Sequence, residues 1–181
     1  MALGSTIYVF KVNLSDVDRG VYEELEIRAA CHPSEALEFL MTRVLAYCLE
    51  YREGIAFAKG GVSDRDEPTL YARDLSGVLT LWVELGIPTA ERLHQASKAC
   101  PEVVVYCHKE ARLLAGLREA NIHRATEIDV VLVERSLLQG LLRHLDRRMQ
   151  FDLTVSGRHL YCSVAGEDFD CALNRAPLQG V

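Results

Sequence analysis

Gly60-Gly61-Val62-Ser63-Asp64-Arg65-Asp66-Glu67-Pro68, a polar connector and then Val78-Leu79-Thr80-Leu81-Trp82-Val83-Glu84-Leu85-Gly86 form the stretch around which this chain is organised. Its second part reads as an apolar strand stopped by Gly86 and interrupted by one carboxylate, Glu84. Its first part is a breaker-rich loop with clustered acids. Two carboxylates brought together from a loop and a strand end can hold a divalent cation such as magnesium, which takes oxygen ligands. An acidic loop is also what solvent exposure alone produces, so the spacing leaves both readings open.

Outward from this stretch the period of the apolar residues alternates between two and 3.6. Residues 5–16 are rich in β-branched and aromatic side chains, close on Asp16-Val17-Asp18-Arg19-Gly20, and return through Val21 to Cys31, a pattern that predicts a long antiparallel hairpin with one solvated face. At His32-Pro33-Ser34-Glu35 the period changes. Leu37, Leu40, Met41, Val44, Leu45 and Cys48 then predict an amphipathic helix to about Arg52, with Pro33 and Glu35 in its first turn and Glu38 at the edge of the apolar stripe. From that edge Glu38 either points toward a site or stands as a rim carboxylate, and Arg43 is read as a surface arginine. After Gly86, Thr89 caps a helix to about Ala99. Val103–Cys107 and Ile128–Val133 read as buried strands, Lys109–Glu119 and Ser136–Leu145 as helices, Met149–Val155 and Arg158–Val164 as strands with a short one near Phe169–Cys171, and the residues from Asn174 as a loose tail. Strands separated by helices predict parallel pairing through crossovers. The expected fold is α/β, in one domain over residues 1–181, with a mixed central sheet flanked by helices and carrying the N-terminal hairpin and the C-terminal strands.

Composition narrows the function classes. A chain of 181 residues, 49% hydrophobic and 25% charged, is expected to bury a sizeable core. Its apolar runs are far shorter than the ~20 residues needed to span a bilayer, and no basic segment with a following apolar stretch opens it, so a cytoplasmic protein without a membrane partner is expected. The six cysteines form no Cys-x-x-Cys pair and lie mostly in apolar stretches, as buried thiols do. The six histidines are scattered without zinc-site spacing, and no phosphate loop, dinucleotide fingerprint or nucleophile elbow is present. A net charge of −6 counts against a general electrostatic grip on nucleic acid. Such binding needs a local basic patch, for which Lys109, Arg112, Arg118 and Arg124, or Arg143, Arg147 and Arg148, are the candidates. Interspersed Glu110, Glu119 and Asp146 equally describe an ordinary charged helix surface.

Several separated motifs resemble the YaeQ family of small bacterial proteins: Thr6-Ile7-Tyr8, Asp16 with Asp18-Arg19 and Tyr22, His32-Pro33-Ser34-Glu35 followed by Glu38 and Arg43, Gly60 with Asp66-Glu67-Pro68, and Trp82-Val83-Glu84-Leu85-Gly86 with Pro88 and Arg92. The resemblance spans roughly residues 5–175. It implies a core related to the restriction-endonuclease-like, PD-(D/E)XK superfamily and a magnesium-dependent nuclease or phosphodiesterase. Asp66 and Glu84 would then be metal carboxylates and Glu38 a contribution from the first helix. The pattern departs at Gly86, which stands where a lysine usually follows the second carboxylate. By the resemblance its role passes to the next helix, to Arg92, Gln95 or Lys98. Cys31 stands where an arginine commonly precedes the His-Pro-Ser-Glu motif. These departures keep a second expectation in play, a catalytically inactive nuclease-fold protein serving as a nucleic-acid-binding, regulatory or protein-docking module.

Overall fold

Thr6–Asp16 (β1) and Val21–Cys31 (β2), in which every second side chain is buried from Phe10 and from Leu25 onward, form an antiparallel pair in uninterrupted register from Thr6↔Cys31 to Asp16↔Val21. The computed structural model describes residues 4–58, 67–109 and 111–181. After β2 come Leu37–Leu49 (α1), the short strands Ile55–Phe57 (β3) and Leu70–Arg73 (β4), then Leu79–Leu85 (β5), Ala90–Ala99 (α2), Glu102–Cys107 (β6), Ala115–Arg118 (α3), Ile128–Leu132 (β7) and Arg135–Arg143 (α4). Arg148–Ser156 (β8), His159–Val164 (β9), Glu167–Ala172 (β10) and Asn174–Pro177 (β11) complete the order.

Two mixed sheets form, where the sequence predicted one. The five-stranded sheet runs β10-β9-β8-β1-β2 and the six-stranded sheet β11-β7-β6-β5-β4-β3. The division follows from one pairing. β8 lies parallel to β1, Val9 beside Arg148 through Asp16 beside Val155, so the N-terminal hairpin and the C-terminal strands build a sheet of their own. The chain correspondingly forms two compact units, one reaching to Val44 and resuming over Glu134–Leu173, the other comprising Leu45–Val133 and Asn174–Val181.

In the first unit the buried face of the sheet carries Phe10, Val12, Leu14, Ile27, Phe151 and Leu153, each at most 2% exposed. Its helix α4 meets β10 at Gly140, where a Cβ would lie 2.7 Å from the Phe169 ring. We expect Gly140→Val to lower stability by about 1–3 kcal/mol through overpacking, measured by urea denaturation, and a second substitution, Phe169→Leu, to recover part of the loss. Equal stability of Gly140→Val and the parent would contradict this packing.

In the second unit β5, β6 and β7 are parallel, with Trp82 beside Val103 and Val103 beside Ile128. Three local expectations are corrected. Lys109–Glu119 is no continuous helix. A 3-10 turn at Ala111–Leu114 leads into the single-turn α3, with the buried Leu114 and Leu117 three residues apart and Gly116, a poor helix former, between them. The hairpin of β3 and β4 lacks the length and alternation that would have announced it. The tail is not loose: β11 pairs antiparallel with β7, and Leu178 beyond it is fully buried. Pro177, which cannot donate to a ladder, is tolerated because β11 is an edge strand. Five cysteines are buried and Cys171 partly so, all as free thiols. Among the described residues no helix is long and apolar enough to cross a membrane.

Candidate functional site

β5 decides where Glu84 points. Side chains alternate along a strand, so Trp82 and Glu84 share one face while Leu81, Val83 and Leu85 take the other. Paired neighbours place Val103 and Val105 on the Trp82 face, where Leu93 and Ala96 of α2 complete an apolar cluster. Gly86, at φ +81°, ends the strand in a conformation that disfavours side chains. Thr89 then caps α2 by accepting from Arg92 N at 3.2 Å, which sets Arg92 in the first turn.

Three side chains meet there. Glu84, 4% exposed, accepts at Oε1 from Trp82 Nε1 (2.6 Å) and from Arg92 Nε (2.7 Å). Arg92 Nη2 donates to the Glu67 carbonyl at 2.6 Å, and the guanidinium carbon lies 6.0 Å from the Trp82 ring centroid. A cation in the first helical turn faces the positive end of the dipole, and the Glu84 carboxylate offsets that. Burial raises the Glu84 pKa, against the opposing hydrogen bonds from Arg92 and Trp82. The folded protein therefore holds this proton more tightly than the unfolded chain. Its stabilising contribution is complete below the unfolded pKa and is lost as pH rises through the folded one. Trp82 is the sole tryptophan, so its emission reports the ionisation. We expect a fluorescence titration with a midpoint above the ordinary glutamate value of about 4.3, absent in Glu84→Gln. A midpoint at or below that value would refute the burial argument.

The remaining predicted residues fall elsewhere. Asp66 lies outside the described residues, as do Gly60 to Arg65 and Glu110. Gln95 and Lys98 are exposed on α2. Each step of three residues turns about 60° around a helix, so Lys98 emerges roughly 120° from Arg92 and ~9 Å further along the axis. Arg92 and Glu84 are brought together, whereas Lys98 is turned away from them. Glu38 belongs to the first unit, exposed in the first turn of α1, where its carbonyl accepts from Thr42 Oγ1 at 2.7 Å. Among the described residues no three His, Cys, Asp or Glu side chains cluster as a metal site. Of the basic patches, Arg124 is tied to Glu127 and the Pro101 carbonyl, and Arg143 to Glu167.

Two polar arrangements were not legible in advance. Glu35 and Arg43 are not a helix-start acid and a surface arginine. Their side chains are 3% and 6% exposed, Arg43 Nη2 lies 2.8 Å from Glu35 Oε1 and donates to the Ala30 carbonyl, and Glu35 Oε2 accepts from His32 N. The His-Pro-Ser-Glu segment is thereby pinned ahead of α1, which starts four residues later than Pro33 at Leu37. On the other face of the six-stranded sheet, Glu50 accepts at Oε1 from Tyr106 Oη and Arg175 Nη1, both at 2.8 Å, and at Oε2 from Arg52 Nη2 at 3.3 Å. Arg52 reaches on to Glu102, and Arg175 to Asp129. Burial raises the Glu50 pKa despite the neighbouring Arg175 charge, the Tyr106 hydrogen bond and Arg52. Nothing in the apolar periodicity around Glu50 signals a partner 125 residues away.

The family model described as YaeQ protein matches residues 1–173. A relative from Salmonella typhi, described as uncharacterized protein YaeQ, is 28% identical over 175 residues, covering 96% of either chain. One of the same description from Escherichia coli is 28% identical over 165 residues, 90% of this chain and 91% of the relative. The crystal structure of YaeQ protein from Pseudomonas syringae superposes with a TM-score of 0.83 at 30% identity, covering 95% of this chain and 94% of that one. The YaeQ structure from Xanthomonas axonopodis pv. citri gives 0.79 at 26% identity, covering 96% and 99%. With its motifs, its mixed α/β fold and nearly its whole length matched, this chain belongs to the YaeQ family.

Proposed function

We propose that the protein is a metal-dependent phosphodiesterase acting on nucleic acid, on a restriction-endonuclease-like core. Glu84 is the metal carboxylate, Asp66 its partner, and Arg92 or Gln95 the side chain of α2 that serves the scissile phosphate. The observation that carries this reading is a buried carboxylate near the carboxyl end of a parallel-paired strand, the place where α/β sheets put their binding crevices. Trp82 and Arg92 both bind Oε1, so the carboxylate is oriented and neither donor falls on Oε2. Bound magnesium would supply an activated water and compensation for the charge on the transferring phosphoryl group. The test is metal-dependent cleavage of single- and double-stranded DNA and RNA by the parent protein and by Glu84→Gln.

A second reading is favoured by the 2.7 Å ion pair itself. Arg92 already compensates Glu84, and Gly86 leaves no lysine beside it. On this reading the chain binds nucleic acid or protein without cleaving. It is chosen if purified protein binds nucleic acid but leaves all four substrates intact with magnesium or manganese.

A further inference from the structure

The face of the sheet that carries Glu84 continues past Trp82 onto β4, where Tyr71 stands directly beside it in antiparallel register. Paired residues of adjacent strands share a face, so Tyr71 and Trp82 form one row. Trp82 is covered, at 7% exposed, and belongs to the apolar cluster under α2; Tyr71 is half-buried and lies outside that cluster. Each ring carries a guanidinium. Arg92 lies 6.0 Å from the Trp82 centroid and Arg73 lies 5.4 Å from that of Tyr71.

The two arginines differ in one respect. Arg92 faces a carboxylate, whereas Arg73 donates from Nη1 to the Gly77 carbonyl at 2.8 Å, and among the described residues no carboxylate pairs with it. The turn behind it is rigidly built: Asp74 Oδ1 accepts from Ser76 N, Ser76 Oγ and Val78 N, at 2.6–2.9 Å. Arg73 is thus an exposed, uncompensated cation laid on a half-exposed ring and held by its own hairpin, in a protein whose net charge is −6. An aromatic face with an adjacent guanidinium is what a base and its phosphate engage together.

We propose that Tyr71 and Arg73 form a subsite for single-stranded nucleic acid, a base stacking on Tyr71 and its phosphate meeting Arg73. This deepens the nucleic-acid reading and rests on it. Single strands are specified because a duplex keeps its base faces stacked on one another, whereas an unpaired base offers its π-face whatever its identity. Double-stranded substrate leaves Tyr71 without its contact.

The experiment is fluorescence anisotropy in low salt with chelator, so that metal and cleavage play no part, using labelled oligo(dT), oligo(rU) and a DNA duplex of about 12 nucleotides per strand, comparable to the site of one small binding domain. The expected result is binding of at least one single strand roughly tenfold tighter than the duplex. Tyr71→Leu and Arg73→Gln should each weaken it about tenfold, and Tyr71→Phe should retain it. Circular dichroism of each variant against the parent identifies any that fails to fold, and Tyr71→Phe against Tyr71→Leu then separates π-stacking from mere bulk. No binding, equal affinity for strand and duplex, or unchanged affinity in folded Tyr71→Leu overturns the subsite. Single-strand binding with no cleavage under magnesium supports this subsite and removes only the phosphodiesterase reading. Cleavage with undiminished binding by Tyr71→Leu does the reverse.

Discussion

If Glu84 holds the metal as proposed, Glu84→Gln is expected to reduce metal-dependent phosphodiester cleavage by at least about a hundredfold, because loss of a metal carboxylate forfeits several kcal/mol of transition-state stabilisation. Glutamine is the informative substitution. Its amide oxygen can still accept from Trp82 Nε1 and Arg92 Nε, so the strand end and the first turn of α2 keep their hydrogen bonds while the negative charge disappears. Desolvation, the main cause of the raised Glu84 pKa, is relieved at the same time, so the variant should remain folded at neutral pH. Calorimetric titration of magnesium and manganese into both proteins separates a lost metal from a lost substrate contact. Parent-like cleavage by Glu84→Gln would remove this carboxylate from the chemistry altogether.

The site was legible in the sequence to the extent that local pattern controls it. The alternation of β5, its stop at Gly86 and the cap at Thr89 are all short-range signals, and they put Trp82 and Glu84 on one side of the strand and Arg92 in the first turn of α2. What could not be read is whatever depends on pairing between distant segments. The hairpin β1–β2 was visible, but its alternation is the same whether its neighbour is β8 or a strand of the other sheet, so the division into two sheets was not. Charged residues were misread for a related reason. Glu35 and Arg43 look like surface groups until a partner of opposite charge is supplied by the fold, at which point burial becomes tolerable.

Removing Asn174–Val181 should cost the protein several kcal/mol, far more than a frayed terminus would. Leu178 is fully buried, and truncating a core leucine costs about 2–5 kcal/mol. Arg175 adds a second contribution. Its Nη1 meets Glu50, whose side chain is 1% exposed, and its Nε meets Asp129 on the paired strand. Breaking a buried pair costs about 3–5 kcal/mol when the remaining charge is stranded. Here Arg175 is itself 30% exposed and Arg52 and Tyr106 stay with Glu50, so about 2 kcal/mol is expected for Arg175→Ala after that discount. Urea denaturation of Leu178→Ala, Arg175→Ala and the truncation measures these directly. A cycle of Glu50→Gln and Arg175→Met isolates the pair, with an expected coupling of about 1–3 kcal/mol. Coupling within the buried pair should persist at high salt, unlike that of the exposed Arg28 and Glu26, whose side chains are 74% and 49% exposed. If the truncation shifts stability by less than about 1 kcal/mol, within the range of a surface change, β11 is an attachment to the six-stranded sheet. A larger loss makes it the strand that closes the ionic network over Glu50 and seals Leu178 into the core.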